Sequence, residues 1–364
     1  MIWSTFSAWP HALQSVEVSG LARRHHPEVG IRQSVTLITG AAGEIGHALI
    51  DRLAAGGDAL ATIDLQPLDT SLASRVTRAY TGSILDRGLL DAIQAEYAVD
   101  RIYHLAALLS TRSEFTPVTA HEVNVRGTLN LLEFAMSQAR SQGRSVMFFY
   151  PSSIAAYGVP ADRGDRPLRE HEYNTPTTMY GCNKLYCEHL GRYYAAHYKQ
   201  LDAEPHADRV DFRAIRFPGL ISALTMPSGG TSDYASEMIH AAAKGEPYAC
   251  FVRPDTRIPF MAMPDAIDAV LALTEAPAAD LTQRVYNVSA FNPSADEIRE
   301  LVATAYPDAD ITFAPDARRQ SIVDSWPNAV DDRAARHDWG LSPRYDLGPC
   351  FEDYLIPTIA EIYR

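Results

Sequence analysis

The chain has 364 residues, enough for one large domain or two closely joined ones. Its 32 basic residues against 45 acidic ones leave a net charge of −13, and without a basic stripe this argues against nucleic acid as the main partner. Apolar content is ordinary, and no run is long enough to cross a bilayer, which argues against a membrane role.

Cys182, Cys187, Cys250 and Cys350 are scattered, as reduced thiols in a cytosolic-type compartment would be. The 12 histidines form no cluster with ligand spacing, so no metal is expected. Residues 1–33 include Trp3, Trp9, Arg23 and Arg24 but show no clear periodicity. They lack the basic start and apolar block of a secretory signal, and Glu17 and Glu28 are unwelcome in a transit peptide. They are read as a poorly ordered extension or the product of an upstream start. A cytoplasmic location is expected, with the mitochondrial matrix as the alternative should the extension be a transit peptide.

Regular structure should begin with Val35-Thr36-Leu37-Ile38-Thr39, a β-branched run that predicts a buried strand. Gly40-Ala41-Ala42-Gly43-Glu44-Ile45-Gly46 follows at once, then a helical pattern to about Ala55. Gly40 permits a tight turn, Gly43 lets a pyrophosphate approach the backbone, and Gly46 lets the helix pack close to the strand. The helix N-terminus offers N–H groups and partial positive charge to phosphates. A bare glycine triplet is weak; a strand before it and a helix after it strengthen it. A second strand over 59–63 ends at Asp64, roughly 20 positions beyond the glycines, where a carboxylate binds the adenosine ribose hydroxyls. A carboxylate there repels a 2′-phosphate, which favours NAD over NADP; the plain alternative is a solvated loop residue.

A third strand over 76–81 leads into Gly82-Ser83-Ile84-Leu85-Asp86, and a fourth over 101–104 into Leu105-Ala106-Ala107. Small alanines there would let a cofactor lie across the strand end. A long helix is expected to include Asn124, followed by a fifth strand over 146–150 that runs into Pro151-Ser152-Ser153. Ligands bind at the carboxyl ends of parallel strands, so these serines are candidates. Successive side chains of a strand point opposite ways, so one of the two should face a substrate. Strands alternating with helices predict an α/β chain with a doubly wound parallel sheet.

A helix should begin near Thr178, placing Tyr180 and Lys184 one turn apart on one face. A tyrosine with its ordinary pKa of ~10 is a poor base at neutral pH, and a neighbouring ammonium favours its phenolate. Such a pair is a proton acceptor for an alcohol hydroxyl. Alone, it equally suits a core tyrosine beside a solvated lysine. Beyond Arg216 a smaller mixed lobe is expected, with helices over 232–244 and 264–275 and short strands over 248–252 and 257–260. Ser294 and Glu297 have the spacing of a capping box and should open another helix. The divisions expected are an extension at 1–33 and a dinucleotide-binding domain at 34–217 and 264–290. A substrate lobe would take 218–263 and 291–345, and a C-terminal helix 346–364.

Thr39-Gly40-x-x-Gly43-x-x-Gly46, His104-Leu-Ala-Ala107, the Ser152-Ser153 strand end and Tyr180-Gly181-x-x-Lys184 resemble the extended short-chain dehydrogenases/reductases. The later series resembles the L-threonine 3-dehydrogenases of the short-chain, zinc-independent type. It includes Gly229-Gly230-Thr231-Ser232-Asp233-Tyr234, Asp324-Ser325-Trp326-Pro327 and Asp338-Trp339-Gly340. The likeness covers about 35–354. Departures are residues 1–33, apparent insertions near 138–144 and 199–209 expected on surface loops, and Cys182-Asn183.

This resemblance implies NAD as cofactor, held by Gly40, Gly43, Glu44, Ile45, Gly46, Asp64, Leu85, Leu105, Ala106, Ala107, Asn124, Tyr180 and Lys184. It implies Tyr180 as base, Lys184 binding the nicotinamide ribose and lowering the tyrosine pKa, and Ser153 bonding the substrate hydroxyl. It places Ser110, Thr231, Ser232 and Asp233 near L-threonine, with Arg163 as a further candidate; Ser152 is the candidate neighbouring Ser153. Asp233 suits an ammonium and an arginine a carboxylate, while Thr231-Ser232-Asp233 as a helix cap and Arg163 as a solvated side chain stay open. A homodimer through the helices of Asn124 and Tyr180 is implied too. The rival enzyme is an NAD-retaining UDP-sugar 4-epimerase, and a non-enzymatic rival is an NAD-sensing regulator.

Overall fold

In a computed structural model, residues 32–161, 164–203, 206, 209–224 and 230–364 are described. The expectations for residues 1–31 and for Arg163 lie outside them. β1 (Gln33–Thr39) has its last five positions buried, the pattern of a strand covered on both faces. It pairs in parallel with β2 (Leu60–Asp64) on one side and β4 (Tyr97–His104) on the other. β3 (Arg78–Thr81) lies beyond β2, and β5 (Val146–Ser153) and β6 (Val210–Phe217) lie beyond β4. Val285–Asn287 pairs with β6 and completes a seven-stranded parallel sheet, ordered Val285–Asn287, β6, β5, β4, β1, β2, β3. The strand order turns back between β1 and β4, and a crevice at the carboxyl ends of such neighbours is where ligands bind.

Helices cover both faces. Leu131, Phe134 and Tyr194 pack with Val99, Phe148 and Phe212 in one cluster. Leu49, Ile50, Ile267 and Val270 pack with Ile38, Tyr103 and Phe149 in another. Residues Gln33–Arg364 form one compact unit. Two short parallel pairs lie outside the main sheet, Gly219–Ile221 with Phe260–Ala262 and Tyr248–Cys250 with Ile311–Phe313. The strand expected over 257–260 thus begins only at Phe260; Arg257 instead pairs with Glu297 at 2.8 Å. The capping box of Ser294 and Glu297 is present and opens Ala295–Ala305.

Two other differences bear on the site. The long helix expected around Asn124 is Pro117–His121, a π-helical segment Glu122–Arg126, and Gly127–Gln142. Such a π-segment shifts which side chains face inward, and it is frequent at functional sites. The expected surface loop at 138–144 is, as far as Gln142, the end of that helix. Gln138 is fully buried; its amide oxygen accepts the Val99 N–H and its nitrogen donates to Tyr97 O, pinning the start of β4. In the 199–209 stretch, Leu201 is fully exposed.

Candidate active site

The loop after β1 is shaped by close backbone approach. Gly40 has φ +70°, and a Cβ there would stand 2.6 Å from the Ala106 nitrogen. A Cβ on Gly46 would stand 2.5 Å from the Ala41 oxygen. Gly43 differs: its nearest contact would be 3.2 Å away, and it caps Glu44–Ala55 without a side-chain bond. The first turn of that helix is therefore left available to an anion. Asp64 ends β2, where its carboxylate accepts N–H groups from Ala42 at 3.0 Å and Gln66 at 2.9 Å.

A cavity of about 550 Å³ runs from this loop across the strand ends. Its walls include Gly40, Gly43, Glu44, Ile45, Gly46 and Asp64 at one end, and Leu105, Ala106 and Ala107 in the middle. Ser110, Ser152, Ser153, Tyr180, Lys184, Thr231, Ser232 and Asp233 complete the expected set. Leu85 is not among the lining residues; Ser83 and Ile84 are, a shift along the β3 exit. Asn124 is not among them either. It is buried and bonds the backbone of the lining residue Leu108, accepting its N–H at 2.7 Å and donating to its O at 3.1 Å. Asn124 holds the wall in place through Leu108. Ser222, Ser236 and Trp326 also line the cavity. Ser222 and Trp326 come from elements distant in the chain with no local pattern, while Ser236 lies on the first turn of the helix that follows Asp233.

Tyr180 and Lys184 lie in the helix Met179–Ala196, which Thr178 caps by accepting the Gly181 N–H. The Glu114 carboxylate accepts the Met179 N–H at 2.7 Å and strengthens that start. The Lys184 ammonium is 5.3 Å from the Tyr180 ring centre and 4.7 Å from that of Tyr150, and it donates to Pro151 O at 2.5 Å. Burial pushes the Lys184 pKa down to about 8, opposed by Cys187 and Glu188. Tyr180 departs from expectation. Burial pushes its pKa up to about 12, and a hydrogen bond with Ser153 opposes the rise. Desolvation of the phenolate is the larger effect here, ahead of any neighbouring charge.

Ser152 and Ser153 divide as strand alternation requires. Ser153 meets Tyr180 and also accepts the Ala155 N–H. Ser152 points its hydroxyl the other way, donating to buried Glu188 at 2.5 Å, so of the two serines it is Ser153 whose hydroxyl meets Tyr180. His104 is buried between the hydroxyls of Thr39 and Thr128, each at 2.9 Å. Burial first, and then the charge of Lys184, bring its pKa down to about 3, so it stays neutral.

At the far end the hydroxyls of Ser110 and Thr231 are 3.4 Å apart. Asp233 precedes the helix Tyr234–Lys244 without a side-chain cap bond; it accepts the Gly230 N–H at 2.7 Å and closes the turn. Arg319 donates to Gly230 O at 3.0 Å from outside. Among the described residues no group of three or more His, Cys, Asp or Glu side chains is placed to hold a metal. No described helix is long and apolar enough to cross a membrane.

Comparison with known proteins agrees with this geometry. The model of the NAD dependent epimerase/dehydratase family matches residues 36–289. An uncharacterized epimerase/dehydratase of Staphylococcus saprophyticus is 35% identical over 314 residues, 85% of this chain and 92% of its own length. The mitochondrial L-threonine 3-dehydrogenase of Bos taurus is 34% identical over 317 residues, 86% of this chain and 80% of its own. The solved L-threonine dehydrogenase from Clostridium difficile is 33% identical with a TM-score of 0.79, covering 91% of this chain and 99% of that one. A monomeric L-threonine 3-dehydrogenase from a metagenome is 34% identical with a TM-score of 0.78, covering 91% and 100%. The UDP-glucose 4-epimerase of Thermotoga maritima, 19% identical with a TM-score of 0.76, shares the fold. The chain belongs to the NAD dependent epimerase/dehydratase family, with L-threonine 3-dehydrogenases among its relatives.

Proposed function

We propose that the chain oxidises the 3-hydroxyl of L-threonine, with NAD, to 2-amino-3-oxobutanoate in threonine catabolism, without zinc. The meeting of Tyr180, Lys184 and Ser153 in one cavity with the glycine loop and Asp64 carries the NAD-dependent oxidation of an alcohol, and likeness to L-threonine 3-dehydrogenases at 33–34% identity supports threonine as that alcohol. The uncapped turn after Gly43 suits a pyrophosphate, and the Asp64 carboxylate suits ribose hydroxyls and repels a 2′-phosphate. Bound NAD would supply the hydride acceptor and, when oxidised, a positive charge that draws Tyr180 towards phenolate.

Tyr180 takes the proton of the threonine hydroxyl, and Ser153 donates a hydrogen bond to the oxygen as it becomes a carbonyl. Lys184 holds the nicotinamide ribose hydroxyls and stabilises the phenolate. Asp233 meets the ammonium of the amino acid, with the hydroxyls of Ser110, Thr231 and Ser232 around it; the carboxylate role of Arg163 stays with a residue outside those described. A substrate lobe of 218–263 and 291–345 serves this site in the same reading. A homodimer is part of it too. It is supported by Tyr186, 54% exposed on the helix of Tyr180, and by Phe115 and Val118, exposed on segments that pack against that helix.

The test is NADH formation with NAD and L-threonine. UDP-sugars in its place should give none, and release of no NADH from threonine would sink the reading in favour of the NAD-retaining 4-epimerase. Tyr180→Phe should lower turnover by at least about 100-fold while NAD binding persists. Unchanged turnover would remove its role.

A further inference from the structure

Three consecutive residues at the end of β5 are each tied to one face of the helix Met179–Ala196. Lys184 donates to Pro151 O at 2.5 Å, Ser152 donates to Glu188 at 2.5 Å, and Ser153 bonds Tyr180. Tyr180, Lys184 and Glu188 stand at successive four-residue steps along one helix face. The outer two residues of the strand end thus meet the pair assigned to the chemistry. The middle one meets a carboxylate that the chemistry does not use.

That carboxylate is fully buried and paired with fully buried Arg216, which donates to it through Nε at 2.8 Å and Nη2 at 2.6 Å. Arg216 is the β6 partner of Ser152 in the sheet register. It also donates to Glu170 O at 3.0 Å and lies 4.5 Å over the Tyr157 ring. Burial pulls the Arg216 pKa down, and the bonds and charge of Glu188 more than reverse this. A buried ion pair is a poor source of stability compared with apolar packing of the same shape, so its presence calls for another account. Glu188 Oε1 accepts from both Ser152 and Arg216, joining β5, β6 and the helix at a single atom. Hydrogen bonds to a charged acceptor are short and directional, which suits a rigid joint.

We propose that Glu188 is a positioning residue for the reaction: it clamps Ser152, and with it the end of β5, against the helix that carries Tyr180 and Lys184. This rests on the threonine reading given above. A displacement of about 1 Å in such a constellation costs about 100-fold in rate. The joint therefore acts on kcat more than on the binding of NAD, whose pyrophosphate and adenosine ribose are assigned to the glycine loop and Asp64 at the other end of the cavity.

Ser152→Ala removes the hydroxyl arm and leaves the Glu188–Arg216 pair whole, so it should fold. Its kcat should fall about tenfold, with KM for threonine and Kd for NAD within about twofold of wild type; Ser152→Thr should restore kcat. Glu188→Gln should lose more, about 100-fold, and where it does not fold Ser152→Ala decides. Wild-type kcat in Ser152→Ala, or an equal loss of kcat and NAD affinity, overturns the proposal. Wild-type protein that binds NAD but does not oxidise threonine overturns the threonine reading instead. The clamp is then read from the ultraviolet titration of the Tyr180 phenol, taken as the difference from Tyr180→Phe. Its midpoint should move in Ser152→Ala, and an unmoved midpoint overturns the positioning role.

Discussion

The carboxylate of Asp64 accepts the backbone N–H of Ala42 at 3.0 Å, so the residue that ends β2 braces the loop that follows β1. The same side chain lines the cavity beside Gly40 and Gly43. Bracing and ribose binding are separable. Asp64→Asn keeps an acceptor for Ala42 and loses the charge, whereas Asp64→Ala loses both. NAD affinity, measured by calorimetry, should fall about tenfold in Asp64→Asn, with NADP gaining relative to NAD. Asp64→Ala should bind NAD more weakly still and melt at a lower temperature. Wild-type NAD affinity in both variants would show that another residue binds the ribose.

Legibility in the sequence followed the range of the interactions. The glycine loop was readable because strand, turn and helix are contiguous, and Tyr180 with Lys184 because helical periodicity alone puts them on one face. The place of Asn124 against Leu108 was not legible, because it lies in a π-helical segment and bonds a backbone 16 residues away, neither of which leaves a local pattern. Leu85 missed the cavity, which Ser83 and Ile84 line, and strand ends are where sequence reading is weakest. Alternation said that Ser152 and Ser153 diverge. Choosing between them needed Glu188, on another element, to claim Ser152. The Tyr180 pKa was misjudged in direction because burial is a property of the folded chain.

Lys184 is 3% exposed, and its pKa is brought from the usual 10.5 down to about 8, chiefly by burial. A depressed folded-state pKa means that the charged lysine opposes folding below about 8. That penalty fades as pH rises towards 10.5, where the unfolded chain loses the same proton. Lys184→Met should therefore be more stable than wild type at neutral pH, by on the order of 1–3 kcal/mol after loss of the bond to Pro151. The advantage should vanish in alkaline solution, and threonine turnover should be lost. Denaturant titrations at neutral and alkaline pH check this; equal stability at both would mean that burial of the ammonium is not the controlling cost.

Asn124 satisfies both backbone groups of Leu108, whose chain continues into the cavity wall at Leu109 and Ser110. Asn124→Ala leaves a donor and an acceptor without that partner, at a cost of about 1–3 kcal/mol. Asn124→Asp keeps the acceptor for the Leu108 N–H and loses the amide donor, so its behaviour should be intermediate apart from any effect of the added charge. Thermal melting should rank wild type above Asp above Ala, and KM for NAD should rise in the opposite order. A fall in stability with KM unmoved would confine Asn124 to the fold.

Phe115 is 82% exposed, Val118 77% and Tyr186 54%, and their segments lie against one another along the helix Met179–Ala196. Large apolar side chains clustered on helices of a folded chain mark a surface that another molecule covers. A second copy, meeting this face by two-fold symmetry, would bury each set against its mate. Light scattering should give twice the mass of one chain for the wild type. Phe115→Asp with Val118→Asp should halve it, since a charge buried without a partner is costly. Neither residue lines the cavity, so the loss of NADH formation should be small beside the change in mass. A wild type that scatters as one chain would place this protein with the relative described as monomeric, and the dimer would be abandoned.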